Sequence, residues 1–255
     1  MEDSLEEVLL KNNVEPQVFA YKCDDKMEGI PAPLPDGIFR LACIGKSGSG
    51  KSNLIQALTQ KRIYNKKFSN VFIVSPSVAS QANKPKLPAD RFYTSVKDLN
   101  TIFDRLQNED GMEGRTLIIL DDIGSEIKKC GEETIILKKC MNNGRHIGRP
   151  LLDEETGEQI ESGAVSIIIS AQKLTQLPPY IRHQLTHLAI FDPRNTKSEL
   201  QVLYEEFFST EKNIFNEILY RTYSVPYNFI FVDTQKSIIY NGFKSKFNVN
   251  NKVYL

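Results

Sequence analysis

The sequence lacks any stretch that could carry it through a membrane. A spanning helix needs roughly 18 consecutive apolar residues, and no such run occurs among the 255 residues. The first ten residues, MEDSLEEVLL, are acidic and lack the basic start of a signal peptide. We therefore expect neither a membrane partner nor secretion.

Metal-binding cysteine patterns and an excess of charge are missing as well. The four cysteines (Cys23, Cys43, Cys130 and Cys140) form no C-x-x-C pair, so a zinc site is not expected. Unpaired cysteines are typical of a reducing, intracellular compartment. The 32 basic residues equal the 32 acidic residues, so net charge gives no argument for nucleic-acid binding.

A glycine-rich motif, GKSGSGKS at residues 45–52, stands between an apolar run at residues 38–44 and a segment with helical spacing. Strand, G-x-x-x-x-G-K-[ST] loop and helix in this order form the phosphate-binding loop (P-loop), which binds a nucleoside triphosphate. Lys51 would reach the β- and γ-phosphates, and the Ser52 hydroxyl would ligate Mg²⁺. The predicted nucleotide contacts are Gly45, Lys46, Ser47, Gly48, Ser49, Gly50, Lys51, Ser52 and Asn53.

Two acidic residues follow a second strongly apolar run. The aliphatic residues 117–120 predict a strand buried on both faces, whose carboxyl end is where an α/β sheet presents its chemistry. Asp121 would hold Mg²⁺, directly or through water, and Asp122 would accept a proton from the attacking water. Gln172 follows a further apolar strand at residues 164–170, where its amide could orient that water or contact the γ-phosphate.

The remaining pattern predicts an α/β fold with a mostly parallel sheet flanked by helices. Further strands are expected at residues 70–75, 92–94 and 187–191, helices at 96–107, 132–143, 177–186, 198–208 and 211–223, and a hairpin at 227–232 and 237–240. We divide the chain into an acidic segment with a proline-rich linker (1–36), a P-loop domain ending in the hairpin (37–242) and a polar tail (243–255).

Two polar segments allow more than one interpretation. Residues 61–68 combine basic and aromatic side chains and could face DNA, but an exposed helix end and connector is favoured. Residues 149–163 form a polar, acidic insertion that we expect to be an exposed hairpin or loop.

Five motifs together resemble a known family. They are IGKSGSGKS at 44–52, LIILDD at 117–122, NNGRHIG at 142–148, SIIISAQ at 166–172 and LPPYIRHQ at 177–184. Their order resembles the FtsK/HerA superfamily of DNA-pumping ATPases, and more closely the poxvirus-type genome-packaging ATPases of large DNA viruses and virophages. The resemblance covers about residues 37–233. One departure is that residues 121–122 read Asp-Asp, where many superfamily members carry Asp-Glu.

The resemblance implies a P-loop NTPase of the RecA and FtsK/HerA type that hydrolyses ATP with Mg²⁺ to move double-stranded DNA into a preformed capsid. It implies a homo-oligomeric ring, a hexamer or pentamer, with a capsid or vertex protein as partner. The location would be the host cytoplasm at the viral factory, or the virion.

The resemblance also implies roles for particular residues. Gln172 would be the sensor glutamine, and an arginine would act on the neighbouring subunit's phosphate, with Arg182 as first candidate, Arg145 as second and Arg194 behind them. Residues 61–67 and 128–129 are candidates to face DNA.

Two other classes of function remain open on the sequence. A nucleoside or nucleotide kinase would share the P-loop, but the insertion at 149–163 contains only one arginine, Arg149, for a lid. A nucleotide-switched DNA-binding adaptor would bind ATP without translocating. Within the superfamily, a cellular DNA pump or conjugation ATPase is a nearer alternative, although such proteins tend to be longer.

Overall fold

The computed structural model describes residues 26–61, 63–77, 86–129, 133–193, 196–208 and 210–248. Within them lie a large sheet, a separate two-stranded sheet and seven α-helices. None of the described helices has the length and apolar character needed to cross a membrane. Most of the acidic N-terminal segment and most of the polar tail lie outside the described residues.

The strands of the large sheet are β1 (Arg40–Ile44), β2 (Asn70–Val74), β3 (Phe92–Tyr93), β4 (Thr116–Leu120), β7 (Val165–Ala171), β8 (His187–Phe191), β9 (Phe229–Asp233), β10 (Ile238–Asn241) and β11 (Ser245–Lys246). The small sheet pairs β5 (Leu151–Leu152) with β6 (Gln159–Glu161). The helices are α1 (Lys51–Gln56), α2 (Leu99–Asn108), α3 (Gly124–Lys129), α4 (Glu133–Asn143), α5 (Pro179–Arg182), α6 (Lys197–Phe207) and α7 (Lys212–Tyr223).

The large sheet has the order β11-β10-β9-β8-β1-β7-β4-β2-β3. The six strands from β8 to β3 run parallel, and β9, β10 and β11 each add antiparallel to their neighbour. This arrangement confirms the expected α/β class, with its mostly parallel sheet and C-terminal hairpin. In a parallel sheet the carboxyl ends of the strands share one edge, which we call the carboxyl edge; the opposite edge is the amino edge.

Both faces of the central strands are buried, which explains their continuous aliphatic sequences. Ala42, Ile118 and Ile167 face a cluster that also contains the buried side chains of α2 to α7. Leu41, Leu117 and Ile168 face the other cluster, which is covered by α1 and by loop residues. The alternation follows from the two-residue period of a strand, so helices must cover both faces.

Two helical segments differ from the sequence prediction. The helix expected over residues 177–186 is α-helical only over Pro179–Arg182, because the following chain turns toward β1, where the Thr186 amide donates to the Arg40 carbonyl at 3.0 Å. The short helix α3 was not predicted. Ile123, which precedes it, and Ile127, within it, are both buried in the core and anchor the helix after the end of β4.

The proline-rich segment packs against the sheet. Met27 and Leu34 are buried in the same cluster as α1, and the Tyr64 hydroxyl donates to the Pro35 carbonyl at 2.8 Å. Beyond the hairpin, the Phe243 ring lies 5.1 Å from that of Phe231. The division at residues 36 and 242 stays a prediction, and packing on the sheet extends past both positions.

The insertion at 149–163 forms the β5–β6 hairpin at the amino edge. The Gly148 amide donates to the Gly163 carbonyl at 2.9 Å, just before β7 begins, and the Gly114 amide donates to the Arg149 carbonyl at 2.9 Å, just before β4 begins. Arg149 is paired with Glu113. The hairpin therefore lies at the amino edge, one strand length (about 16 to 23 Å) from the carboxyl edge.

The cysteines in the described part behave as expected for reduced thiols. Cys43 and Cys140 are free and fully buried, and burial raises the pKa of each to about 12. Both thiols are therefore protonated at neutral pH and serve as small apolar core residues.

Candidate nucleotide site at the carboxyl edge

The P-loop follows β1 and leads directly into α1. Gly48 and Gly50 have φ angles of 74° and 106°, a left-handed conformation that side-chain-bearing residues rarely adopt. A Cβ added to Gly45 would lie 2.6 Å from Ser49 Oγ and 2.7 Å from Phe191 Cβ. Glycine is thus required for the turn at two positions and for close packing at the third.

Lys51 is the buried cation of this loop. Its side chain is folded back, and Nζ donates to the carbonyl oxygens of Gly45 at 2.6 Å and Lys46 at 3.0 Å. Burial lowers the pKa of Lys51, and the carboxylates of Asp122 and Asp121 oppose that shift. A phosphate in the loop would supply the close negative charge that a desolvated ammonium group needs.

The two acids lie where β4 ends. The Asp121 amide still donates to the Val74 carbonyl of β2 at 2.9 Å, which fixes the position of this residue. Asp122 is exposed and has a φ of 55°, so the chain turns sharply at this residue. Aspartate tolerates a left-handed φ better than most residues do. The turn places Asp122 at the open end of the strand.

Gln172 reaches Asp122 from the neighbouring strand. It follows β7, and its Nε2 donates to Asp122 Oδ1 at 3.3 Å. The backbone amides of Gln172 and Lys173 both donate to Gln176 Oε1 at 3.2 Å, which fixes the chain at the strand end. The amide and the carboxylate predicted to handle water are therefore hydrogen-bonded to each other.

One open cleft of about 380 Å³ collects these groups. It is lined by Ser47, Gly48, Ser49, Gly50, Lys51, Ser52, Asn53, Ser77, Asp121, Asp122, Ser170, Gln172 and Tyr227. The structure thus brings together most of the predicted P-loop contacts with both acids and the strand-end glutamine. Gly45 and Lys46 lie at the start of the same loop and line a neighbouring pocket.

The residues present fit a nucleotide carrying Mg²⁺. Ser49 Oγ and Ser170 Oγ are buried beside this cleft, and neither has a hydrogen-bond partner within the described part of the chain. That part contains no group of three or more His, Cys, Asp or Glu side chains that could hold a metal ion by themselves. A P-loop Mg²⁺ needs no such cluster, because phosphate oxygens and water complete the shell around one hydroxyl and one carboxylate. Ser52 and Asp121 offer those two groups in this cleft.

The segment after Gln172 is clamped to α6 by a buried carboxylate. Glu199 is only 6% exposed and accepts a hydrogen bond from the Leu174 amide at 2.6 Å, and others from the amide and hydroxyl of Thr175. Because charge-assisted hydrogen bonds to a buried carboxylate are strong, α6 holds this strand end in place.

Arg182, the first candidate for a trans-acting arginine, is committed within its own subunit. It is 9% exposed, its Nε donates to Glu206 Oε2 at 2.7 Å, and a second guanidinium nitrogen donates to the other oxygen of that carboxylate. A third nitrogen donates to the Leu177 carbonyl at 2.6 Å. Arg182 could reach a neighbouring subunit only by breaking this bidentate pair.

Arg145, the second candidate, is exposed and lies at the amino edge. It occupies a 3-10 turn (Gly144–His146), and a Cβ on Gly144 would lie 2.8 Å from the carbonyl of Val165, the first residue of β7. Burial lowers the pKa of Arg40, and the charge of Arg145 lowers it further. Arg145 is therefore remote from its own subunit's P-loop. Arg194 lies outside the described residues.

The candidate DNA-facing segment at residues 61–67 has a mixed character. Tyr64 is 2% exposed, and its ring centroid lies 5.1 Å from that of Phe39, so this aromatic residue belongs to the core. Lys66 is exposed at the amino edge, whereas Arg62 lies outside the described residues. The aromatic residue in this segment is therefore explained by core packing and not by a surface that faces DNA. The side chains of residues 128–129 also lie outside what the structure describes.

Tyr227 lies beside the P-loop, although its sequence context does not mark it as a site residue. This tyrosine is 76% exposed and lines the cleft although it precedes β9, two strands away from β1 on the side opposite β7. The only available signal was its position at the start of an apolar strand, which predicts burial rather than a site.

Comparisons with known proteins agree with this fold. The model of the family "Poxvirus A32 protein" matches residues 32–223. Among solved structures, the genome packaging NTPase B204 from Sulfolobus turreted icosahedral virus 2, in complex with sulfate, gives a TM-score of 0.60 at 16% identity, over 80% of this chain and 96% of that one. The same protein in complex with ATP-gammaS gives 0.57 at 16% identity, with the same coverage.

The DNA-packaging ATPase B204 from Sulfolobus turreted icosahedral virus gives a TM-score of 0.55 at 17% identity, over 79% of this chain and 95% of that one. At these identities the similarity shows the shared fold. No curated protein sequence matches significantly.

Proposed function

Since the chain belongs to the Poxvirus A32 protein family, we propose that it is an ATPase that drives double-stranded viral DNA into a preformed capsid. The observation that carries this proposal is the hydrogen bond between Gln172 and Asp122 in the P-loop cleft. A strand-end glutamine bonded to a carboxylate at the γ-phosphate end suits hydrolysis, whereas binding alone needs only the loop.

Each group has a distinct role in the proposed reaction. Lys51 neutralises the β- and γ-phosphates, for which it leaves the loop carbonyls that it now contacts. Asp122 accepts a proton from the attacking water, which Gln172 orients. Mg²⁺ would be held by the Ser52 hydroxyl and Asp121, and it would supply compensation for the developing phosphate charge.

A ring of identical subunits, a hexamer or a pentamer, would place each cleft against a neighbour. The cleft is open on its γ-phosphate side, where the exposed Asp122 lies, so a neighbouring arginine has access to it. We favour Arg145 for this trans role because its side chain is exposed. Arg182 is less suitable because it is buried and bound to Glu206. Removing a trans-acting arginine typically costs 10³- to 10⁵-fold in turnover.

The position of the β5–β6 hairpin weakens the alternative that the chain is a nucleoside or nucleotide kinase. A kinase lid closes over the phosphates, yet the β5–β6 hairpin lies at the amino edge and its Arg149 is paired with Glu113. The adaptor alternative differs from the proposal only in turnover. The remaining partners in the proposal are double-stranded DNA and a capsid or vertex protein, in the cytoplasm of an infected cell.

The decisive experiment measures ATP hydrolysis with and without double-stranded DNA, and images the protein with DNA and a non-hydrolysable ATP analogue by negative stain. DNA-stimulated hydrolysis and rings around DNA are the expected results. Phosphate transfer to a small acceptor would establish a kinase, and binding without turnover would establish an adaptor. The variant Lys51→Ala is the control that should abolish hydrolysis.

Mixing experiments identify the arginine. Subunits carrying Arg145→Ala are mixed with Lys51→Ala subunits, and activity is measured against the mixing ratio. A trans-acting Arg145 predicts partial recovery, because some interfaces then pair an intact P-loop with an intact arginine. The same titration with Arg182→Ala is the matched comparison. If only the Arg182 mixture recovers activity, the assignment to Arg145 is wrong.

A further inference from the structure

A second cleft opens on the other side of the P-loop. Its volume is about 300 Å³, and it shares Ser47, Gly48, Ser49 and Tyr227 with the cleft that contains the acids. Its remaining lining residues are Lys46, Phe191, Asp192, Tyr223, Val225, Pro226 and Asn228. Neither Asp121, Asp122 nor Gln172 lines it. The P-loop therefore separates a cleft with the hydrolytic groups from a cleft with an aromatic and apolar wall.

The strand order explains the separation. From β1, the strands β7 and β4 bring Gln172 and the two acids to one side. On the other side, β8 is followed by the antiparallel β9, and Phe229, the first residue of β9, pairs with Phe191, the last residue of β8. Residues directly before β9 must therefore lie at the carboxyl edge. A nucleotide with its γ-phosphate toward the acids has its other end toward this second side.

Tyr227 stands at the boundary between the two clefts. Its ring lines both, and its Cδ1 would lie 3.9 Å from a Cβ on Gly50. The ring is 76% exposed, and Val225 beside it is 51% exposed, so two large apolar side chains face open space next to the P-loop. Aromatic faces in such positions are typical sites for a planar ligand.

The loop that carries Tyr227 is held in an unfavourable conformation by its neighbours. Tyr227 has a φ of 60°, which is a genuine outlier for a bulky residue. Asn228 fixes it, because its Nδ2 donates to the Thr222 carbonyl at 3.0 Å and to Asn241 Oδ1 at 2.6 Å. The Tyr223 hydroxyl anchors the end of α7 to the Ile190 carbonyl at 3.1 Å. Strain that is maintained by surrounding contacts concentrates at ligand-binding positions.

We propose that Tyr227 is a stacking platform for the nucleobase of the nucleotide whose phosphates bind the P-loop, with Val225 and Pro226 as the adjoining apolar wall. This inference rests on the proposed nucleotide binding. Every base has a π-face, so stacking gives affinity without selecting one base. The phosphates and the base are thus bound by different parts of the chain.

The test compares a nucleotide with its phosphate chain alone. Isothermal titration calorimetry measures the binding of β,γ-methylene-ATP and of inorganic tripolyphosphate, each with Mg²⁺. Tyr227→Ala is expected to weaken the binding of the ATP analogue roughly tenfold and to leave that of tripolyphosphate unchanged, as loss of one aromatic–base stack predicts. Tyr227→Phe keeps the ring and should bind both ligands as the wild type does.

Tyr220→Ala is the matched control, because Tyr220 is 78% exposed but lines neither cleft beside the P-loop. Unchanged affinity of Tyr227→Ala for the ATP analogue would overturn the proposal, as would an equal loss for both ligands, which indicates damage to the loop. Failure of the wild-type protein to bind either ligand overturns nucleotide binding itself. If Lys51→Ala loses tripolyphosphate while Tyr227→Ala binds the ATP analogue normally, the P-loop site stands and only the stacking role fails.

Discussion

The two sides of β1 at the carboxyl edge differ in chemistry but share one backbone feature. The acid side carries Asp121, Asp122 and Gln172, and the aromatic side carries Tyr227. Apart from glycines, each side has one residue with a left-handed φ, 55° at Asp122 and 60° at Tyr227. Both residues are exposed. A residue with a left-handed φ thus lies on each side of β1, beside the P-loop.

The left-handed φ costs less conformational free energy at Asp122 than at Tyr227. Aspartate visits the left-handed region several-fold more often than an average residue, whereas a bulky aromatic residue does so rarely. The acid side is therefore built from compatible local chemistry, and the aromatic side depends on the anchoring of Asn228. The φ angle at Asp122 is therefore compatible with its own side chain, whereas the φ angle at Tyr227 is imposed by tertiary contacts.

The largest effect is expected from removing the charge on the acid side. Asp122→Asn should lower ATP turnover about 10²- to 10⁴-fold, the usual contribution of a general base, while nucleotide affinity stays close to that of the wild type. Asparagine tolerates the left-handed φ, so the turn is preserved. Steady-state hydrolysis and calorimetric binding measure the two quantities. Undiminished hydrolysis would show that Asp122 is not the base.

The second effect concerns the stability of the fold next to the acid side, where Arg182 of α5 pairs with Glu206 of α6. Arg182→Ala removes a buried guanidinium and leaves the Leu177 carbonyl without this donor, so we expect the free energy of unfolding to fall by about 1 to 3 kcal/mol. The exposed Arg145→Ala is the matched control, expected within about 0.5 kcal/mol of the wild type. Urea denaturation measures both. Equal stability of the two variants would mean that the Arg182 pair is not structural.

The acid side could be predicted from the sequence for a physical reason. Aliphatic runs such as residues 117–120 form strands buried on both faces, and polar residues that follow parallel strands must meet at one edge. The P-loop and both acids needed no further information. The parallel sheet itself follows from the same runs and from the helical segments between them.

The aromatic side could not be predicted in this way. Tyr227 precedes an antiparallel strand, so its position at the carboxyl edge depends on the direction of β9. Its left-handed φ could not be predicted either, because this position carries a tyrosine and not the glycine that usually indicates such a conformation. The ion pair of Arg182 with Glu206 could not be predicted either, because the two residues are 24 positions apart and only the packing of α6 brings them together. Such features are properties of tertiary structure.

A third prediction concerns the β8–β9 pair, which supports the aromatic side. His187 is buried between Asp233 and Thr186, and burial lowers its pKa from 6.5 to about 4. The unfolded chain therefore binds more protons between these values, so stability falls as pH falls from 6.5 toward 4.

His187→Gln removes the titrating group and keeps a polar side chain at this position. The free energy of unfolding, measured by urea denaturation at several pH values, should fall less steeply for this variant than for the wild type between pH 6.5 and 4. Carboxylates titrate in both proteins, so only the difference in slope reports on His187. Identical slopes would contradict the lowered pKa.

The smallest effect is the release of strain on the aromatic side. Tyr227→Gly replaces a bulky residue at a φ of 60° by the residue for which that angle carries no steric cost. Relief of order 1–3 kcal/mol is partly offset by the extra entropy of glycine in the unfolded chain, so the net gain should be about 1 kcal/mol, or roughly 2 to 4 °C in Tm for a chain of this size. Tyr227→Ala keeps the strained angle and should show no gain. If both variants melt together, the loop is not strained. Suppose that only the glycine variant gains stability while both variants lose nucleotide affinity. The tyrosine at residue 227 then increases nucleotide affinity and lowers the stability of the fold, whereas the aspartate at residue 122 tolerates its left-handed φ at a smaller loss of stability.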